Sequence, residues 1–172
     1  MHRSTVAPLL ALLLLLQPGA NAESHKVHHG PREIWIIRHA EKPEDKEPKD
    51  PDLSPRGRER AEALATAIPA HFGRPDFLIA AKRSAHSNRS FETLEPLAKH
   101  LHLEIDARFS DAEFAALAHE VLTEPKYADK IILIAWHHGK IPDLARALGV
   151  ANPPAAWDGK AFDRVWDVTF AE

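Results

Sequence analysis

The chain contains no cysteine, which excludes a disulfide framework, a thiolate zinc site, a cysteine-ligated iron–sulfur cluster and a cysteine nucleophile. It also lacks an excess of positive charge. Twenty-two Lys and Arg stand against 25 Asp and Glu, for a net charge of −3, which argues against a bulk nucleic-acid binder. No internal repeat and no linker divides it. After the first 22 residues no segment is apolar enough to span a bilayer. What remains is 172 residues, 44% hydrophobic and 27% charged. That length suits one domain, and that composition is ordinary for a globular protein rather than a disordered or fibrous one. The abundance that stands out is twelve histidines.

The N-terminus reads as an address. Met1, His2 and Arg3 make a short basic start, and Val6 to Leu16 is an apolar run of eleven residues, seven of them leucine, interrupted by Pro8. Pro18 and Gly19 break the run, and Ala20 and Ala22 place small residues at the −3 and −1 positions of a cleavage site. This is the pattern of a secretory signal peptide over residues 1–22. Eleven apolar residues cover only about half of a ~30 Å hydrocarbon core, so no stable membrane insertion is expected after cleavage. The expected location is an export compartment, and a cysteine-free chain suits a bacterial periplasm or secretion. Residues 23–32, with His25, His28 and His29, read as a flexible leader, although histidine-rich segments can bind transition metals. Residues 33–172 form the expected domain.

Within that domain strand and helix patterns alternate. Glu33 to Ile37 is a β-branched and aromatic run, Phe77 to Ala81 a second strand, Lys130 to Ala135 a strand buried on both faces, and Arg164 to Phe170 a closing strand. Ser54-Pro55 opens a helix with a capping hydroxyl and a proline in the first turn, and Pro69 is expected to close or kink it. Phe91 to Leu101 has helical spacing despite Pro96. Ser110 to Glu113 is a capping box before a further helix, and Ile141 to Leu148 is a short helix ended by Gly149. The expectation is an α/β fold, a three-layer α/β/α sandwich with a mostly parallel central sheet.

In such sheets the site lies at the carboxyl ends of the strands. The first strand delivers Arg38, His39, Glu41 and Lys42. The second delivers Lys82 and Arg83, with Arg89 following at a helix start, and the buried strand delivers His137 and His138. Arginine, lysine and histidine converging from three strands predict a pocket for an anion, phosphate above all.

These segments resemble the histidine phosphatase superfamily, the phosphoglycerate mutase-like branch 1. The Arg-His pair closing the first strand stands here as I-I-R-H-A-E-K. The leucine-serine-x-x-glycine segment stands as Leu53-Ser54-Pro55-Arg56-Gly57. The arginine four residues before a threonine stands as Arg89 and Thr93, and the strand ending in histidine-glycine stands as I-L-I-A-W-H-H-G. The resemblance covers about Glu33 to Phe170 and implies a phosphoglycerate mutase-like fold. It implies that His39 is the nucleophile that becomes phosphohistidine and that Arg38 and Arg89 bind phosphate. It makes His138, directly before the glycine, the second catalytic histidine, with His137 its neighbour. Lys42 is a further phosphate-contact candidate. Relatives take a proton donor from the segment after the second helix, which nominates Asp111 and Glu113; Glu41 is a third candidate by proximity, and Glu113 already has a structural explanation in the capping box.

The chemistry suits these residue types. A histidine nucleophile must be neutral to attack, which an ordinary pKa of about 6.5 permits near pH 7. Fixed cations stabilise the charge spread over the transferring phosphoryl group, so no metal and no cofactor is expected. The expected activity is an exported, metal-independent phosphatase hydrolysing a small-molecule phosphomonoester through phospho-His39. The alternatives are a non-catalytic phosphate-binding module of the same fold, a phosphomutase, or a metal-binding protein organised by the leader histidines. Neither the physiological substrate nor the oligomeric state is readable from the residues.

Overall fold

The computed structural model describes residues 30–44 and 50–170. The expected signal peptide and the leader histidines lie outside the described residues. The first strand, β1 (Glu33–Arg38), is followed by helix α1 (Pro55–His71), β2 (Phe77–Ala80), α2 (Arg89–Leu101) and the two-residue β3 (Ile105–Asp106). A 3-10 turn over Asp111–Glu113 leads into α3 (Phe114–Thr123), and a second over Pro125–Tyr127 precedes β4 (Ile131–Trp136), α4 (Ile141–Ala147) and β5 (Val165–Thr169). Residues 30–32, placed at the end of the leader by sequence, already belong to the fold: Pro31 is buried, the Gly30 carbonyl accepts from the Asp129 N–H at 3.1 Å, and the Arg32 N–H donates to the Lys130 carbonyl at 2.9 Å.

The strands form one sheet in the order β3-β2-β4-β1-β5. β4 pairs parallel with β1 and β2, β2 pairs parallel with β3, and β5 closes the edge antiparallel to β1. Side chains on a strand alternate between faces, and the two cores follow that alternation. Ile34 and Ile36 of β1 and Ile132, Ile134 and Trp136 of β4 pack with Leu117, Val121 and Leu144 of α3 and α4. Trp35, Ile37, Leu133 and Ala135 face the other way, onto Ala65, Ile68, Leu94 and Leu97 of α1 and α2. Helices on both faces bury every residue of β4, which accounts for its unbroken apolar run and makes the molecule the expected three-layer sandwich.

The helix ends follow local rules. The Ser54 hydroxyl accepts the Gly57 N–H at 3.0 Å, with Pro55 in the first turn of α1. Pro69 sits inside the last turn of α1 and Pro96 inside α2; each removes one ladder donor without ending its helix. Gly149, just past α4, has φ +95°, a backbone conformation that favours glycine. Among the described residues no helix is long and apolar enough to cross a membrane.

Candidate active site

Register places the first and last motif segments side by side. Arg38 is the parallel partner of Trp136, so the residues that follow β1 and β4 emerge together at one edge of the sheet. The His39 N–H extends the pairing by donating to the Trp136 carbonyl at 3.1 Å. The imidazoles then cluster: ring centroids lie 5.8 Å apart for His39 and His137, 6.4 Å for His39 and His138, and 4.5 Å for His137 and His138.

His39 is 2% exposed. Its Nδ1 lies 2.7 Å from the Ala40 carbonyl, and since a carbonyl only accepts, Nδ1 carries the proton. The lone pair is thereby left on Nε2. Burial is the largest influence on its basicity, lowering the pKa to about 3; the Ala40 hydrogen bond opposes this, and Arg38, Arg89 and His137 add to it. Burial also lowers the His138 pKa to about 4, helped by Arg38, His137 and Lys42, and lowers that of His137, against the pull of Asp111. His39 and His138 are thus neutral near pH 7.

The loop carrying His39 is anchored by Thr93. Its hydroxyl accepts the Ala40 N–H at 2.9 Å and donates to the Arg89 carbonyl at 2.7 Å, so one buried side chain ties the loop of His39 to the helix turn that presents Arg89. Gly57 explains the glycine of the leucine-serine segment. A Cβ there would come within 2.3 Å of the Glu41 carbonyl oxygen, and the same carbonyl accepts the Ser54 N–H at 2.9 Å. The start of α1 therefore seats directly against the chain leaving β1. Gly139 has a parallel use, since a Cβ would press on the His137 ring at 3.3 Å and its N–H donates to His137 Nδ1 at 3.2 Å.

Both arginines keep a donor in reserve. Arg38 is 6% exposed, its guanidinium lies 3.9 Å from the Phe162 ring centroid, and it donates to the Gly159 carbonyl. Arg89 donates to the carbonyls of Asp50 at 3.1 Å and His86 at 3.4 Å. The Nε atom of each is buried without a hydrogen-bond partner among the described residues, a costly condition for a charged group unless a ligand supplies the acceptor. Two cavities adjoin the cluster. One of about 660 Å³ is lined by Arg38, Lys42, Arg56, Arg60, Gly159 and Phe162 among others. The other, of about 580 Å³, is lined by Arg83, Ser87, Arg89, Asp111 and His137 among others.

The proton-donor candidates separate. Glu41 receives Arg60 through three contacts of 2.7 to 3.0 Å and lies 3.3 Å from Arg56. Burial alone would raise its pKa, but these arginines bring it below the ordinary value, so the carboxylate is held ionised. Glu113 accepts from both the N–H and the hydroxyl of Ser110, at 2.8 and 2.7 Å, and these bonds lower its pKa too. Only Asp111 of the three lines a cavity with His137 and Arg89. Lys42 is exposed on the Arg38 side. Sequence reasoning missed Arg60, Gly159 and Phe162. Helical spacing from Ser54 could have suggested Arg60, whereas the loop after α4 carries no periodic signal.

The mycobacterial glucosyl-3-phosphoglycerate phosphatase, solved with inorganic phosphate, is similar with a TM-score of 0.51 at 16% identity, over 71% of this chain and 80% of its own. Mycobacterial hydrolase 2 gives a TM-score of 0.50 at 17% identity, over 68% and 72%. The protein histidine phosphatase SixA, solved with tungstate, gives 0.45 at 16% identity, over 71% and 81%. At such identities the first two likenesses are ones of fold alone. No curated protein sequence matches. The model of the histidine phosphatase superfamily (branch 1) matches residues 34–149, from β1 to the glycine after α4, and the motif residues it spans are those that meet at the sheet edge. The chain belongs to the branch 1 histidine phosphatase superfamily.

Proposed function

We propose that the protein is an exported phosphatase that hydrolyses a small-molecule phosphomonoester through phosphohistidine at His39. The observation that carries this reading is the unprotonated Nε2 of a buried His39 beside two arginines whose Nε donors lack partners. In the first step the Nε2 lone pair attacks phosphorus, the phosphorus–oxygen ester bond breaks, and the leaving oxygen takes a proton. In the second, water attacks phosphorus, the phosphorus–nitrogen bond breaks, and inorganic phosphate departs with His39 restored. Arg38 and Arg89 stabilise the charge on the phosphoryl oxygens in both steps. Splitting one displacement into two is the gain from a covalent nucleophile. Asp111 is the remaining carboxyl candidate for the proton. His138 takes the second histidine role, and His137→Ala is expected to lower turnover less than His138→Ala; the reverse order in a rate assay overturns that assignment.

A second reading, a phosphate-binding module without turnover, is favoured by the commitment of Glu41 and Glu113 to other partners. One assay separates the two. Hydrolysis of a chromogenic phosphomonoester is followed in the presence of a chelator, beside His39→Ala. Chelator-resistant turnover lost in the variant supports the phosphatase, binding of inorganic phosphate without turnover supports the module, and turnover surviving in His39→Ala sinks the proposed mechanism.

A further inference from the structure

His39, His137 and His138 each offer a ring nitrogen such that all three ligand atoms lie within 4.8 Å of one another. We propose that these imidazoles form a binding site for one divalent transition cation of zinc's chemistry, and that its occupancy withdraws the nucleophile from the phosphoryl reaction. The binding stands on the cluster alone; the inhibition rests on the phosphatase reading.

The ligand chemistry is favourable on several counts. Three neutral imidazoles with an open fourth position are an established zinc donor set, and imidazole is a borderline donor that prefers such cations to magnesium or calcium. A zinc-bound histidine ordinarily donates its other ring N–H to a carbonyl or carboxylate, which fixes the ring and the tautomer. His39 already has that arrangement, with Nδ1 donating to the Ala40 carbonyl at 2.7 Å and Nε2 left to coordinate. In His137 it is Nδ1 that accepts the Gly139 N–H at 3.2 Å, so coordination through Nε2 requires the other neutral tautomer and gives up that bond, whereas coordination through Nδ1 replaces it. His138 has a buried Nδ1 with no hydrogen-bond partner among the described residues. Bonds of about 2.0–2.1 Å to one ion require nitrogens roughly 3.3 Å apart. The half-buried His137 and His138 must therefore turn inward by about an ångström, while the buried His39 stays fixed. Arg38 and Arg89 oppose a bare dication at this place, and the same charges favour an anionic oxygen in the fourth position.

The consequence is a centre in which nucleophile and metal ligand are one atom. A cation on Nε2 of His39 occupies the lone pair that would attack phosphorus, so zinc inhibits by blocking the step rather than by supporting it. No redox change or further reactant enters.

The test uses the full chain with His25, His28 and His29 replaced by alanine in every sample, so that the leader contributes no competing imidazoles. Zinc binding is measured by competition with a chromogenic chelator, and cobalt(II) serves as a spectroscopic reporter of coordination number. The expected result is one zinc per chain, an intense four-coordinate cobalt spectrum, and affinity lowered at least tenfold by each of His39→Ala, His137→Ala and His138→Ala, with melting temperatures showing that each variant is folded. Zinc should also raise the melting temperature of the histidine-intact cluster, a readout that needs no active-site variant. Wild-type-like affinity in the His137→Ala/His138→Ala double variant, or no binding to the intact cluster, overturns the proposal. Zinc binding without phosphatase turnover leaves the binding site standing and overturns the inhibition together with the phosphatase reading; turnover unaffected by saturating zinc overturns the inhibition alone.

Discussion

Arg38 is 6% exposed, lies over the Phe162 ring and donates to the carbonyl of Gly159, 121 residues away in the chain, whereas Arg89 is half-buried and donates to the carbonyls of His86 and Asp50. Both guanidiniums keep a buried Nε without a partner, so both present the same chemical offer to an anion. They differ in how that offer is held. The Arg38 side is walled by side chains in fixed contact: Phe162 beneath the guanidinium, Glu41 clasped by Arg60, and α1 pressed against Glu41 at Gly57. The Arg89 side is held by backbone carbonyls and lined by serines, Asp111 and His137. The lesson is that pre-organisation is concentrated on one side of His39. Rigid groups aimed at developing charge need no reorganisation during the reaction, so Arg38 should matter more than Arg89.

The largest effect tests that ranking directly. Arg38→Ala should lower kcat/KM for a phosphomonoester by about 10³, and Arg89→Ala by about 10², the range found when one charge-stabilising donor is removed. Equal or inverted losses in steady-state kinetics would break the comparison. Next, Gly57→Ala should destabilise the fold by about 3 kcal/mol in urea unfolding, because its Cβ meets backbone rather than a movable side chain. A neutral result would mean that the seat of α1 on Glu41 is soft.

A smaller effect concerns His39, between the two sides. The folded-state pKa of His39 is about 3, against about 6.5 in the unfolded chain. Between those values the unfolded chain binds a proton that the folded chain refuses, so stability is unaffected above about 6.5 and falls as pH drops towards 3. From pH 7 to pH 5 this costs about 2 kcal/mol. The wild type should lose that much more than His39→Ala when unfolding is compared at the two pH values with a chelator present. A matching loss in the variant would show that His39 is not held neutral by burial. The smallest effect is Phe162→Ala, which removes a cation–π contact of about 1 kcal/mol and should lower kcat/KM about fivefold. A decrease above a hundredfold would show that Phe162 does more than support Arg38.

Much of the fold was legible because its elements carry strong local patterns. Four consecutive aliphatics marked β4 as a strand buried on both faces, and Ser54-Pro55 marked the start of α1. Pro69 and Pro96 looked more disruptive than they are, since a helix packed along one face tolerates one missing ladder bond. β3 was not legible: two residues are too few for a period, and Ile105–Asp106 becomes a strand only by pairing with β2. The direction of β5 was not legible either, because the side-chain alternation of a strand is the same whichever way it runs.

At the site, His39, Arg38, Arg89 and the His137-His138 pair were readable because short motifs at strand ends preserve residue type and spacing. The choice between the two histidines of that pair rested on the position of a glycine, and the ring distances of 5.8 and 6.4 Å to His39 place both beside it. Glu41 shows the limit of proximity in sequence. Two residues from His39, it turns to Arg60 and Arg56 because α1 brings those charges to it.

The linear chain settled which side chains stand at the strand ends and the order in which strand and helix present them, because propensity, periodicity and short motifs are local properties. The tertiary structure alone settled which carboxylates are spoken for, which nitrogen of His39 is free, and that the loop holding Gly159 and Phe162 supports Arg38. Those outcomes depend on contacts between residues distant in sequence, and no local pattern specifies which hydrogen bonds survive when the layers close.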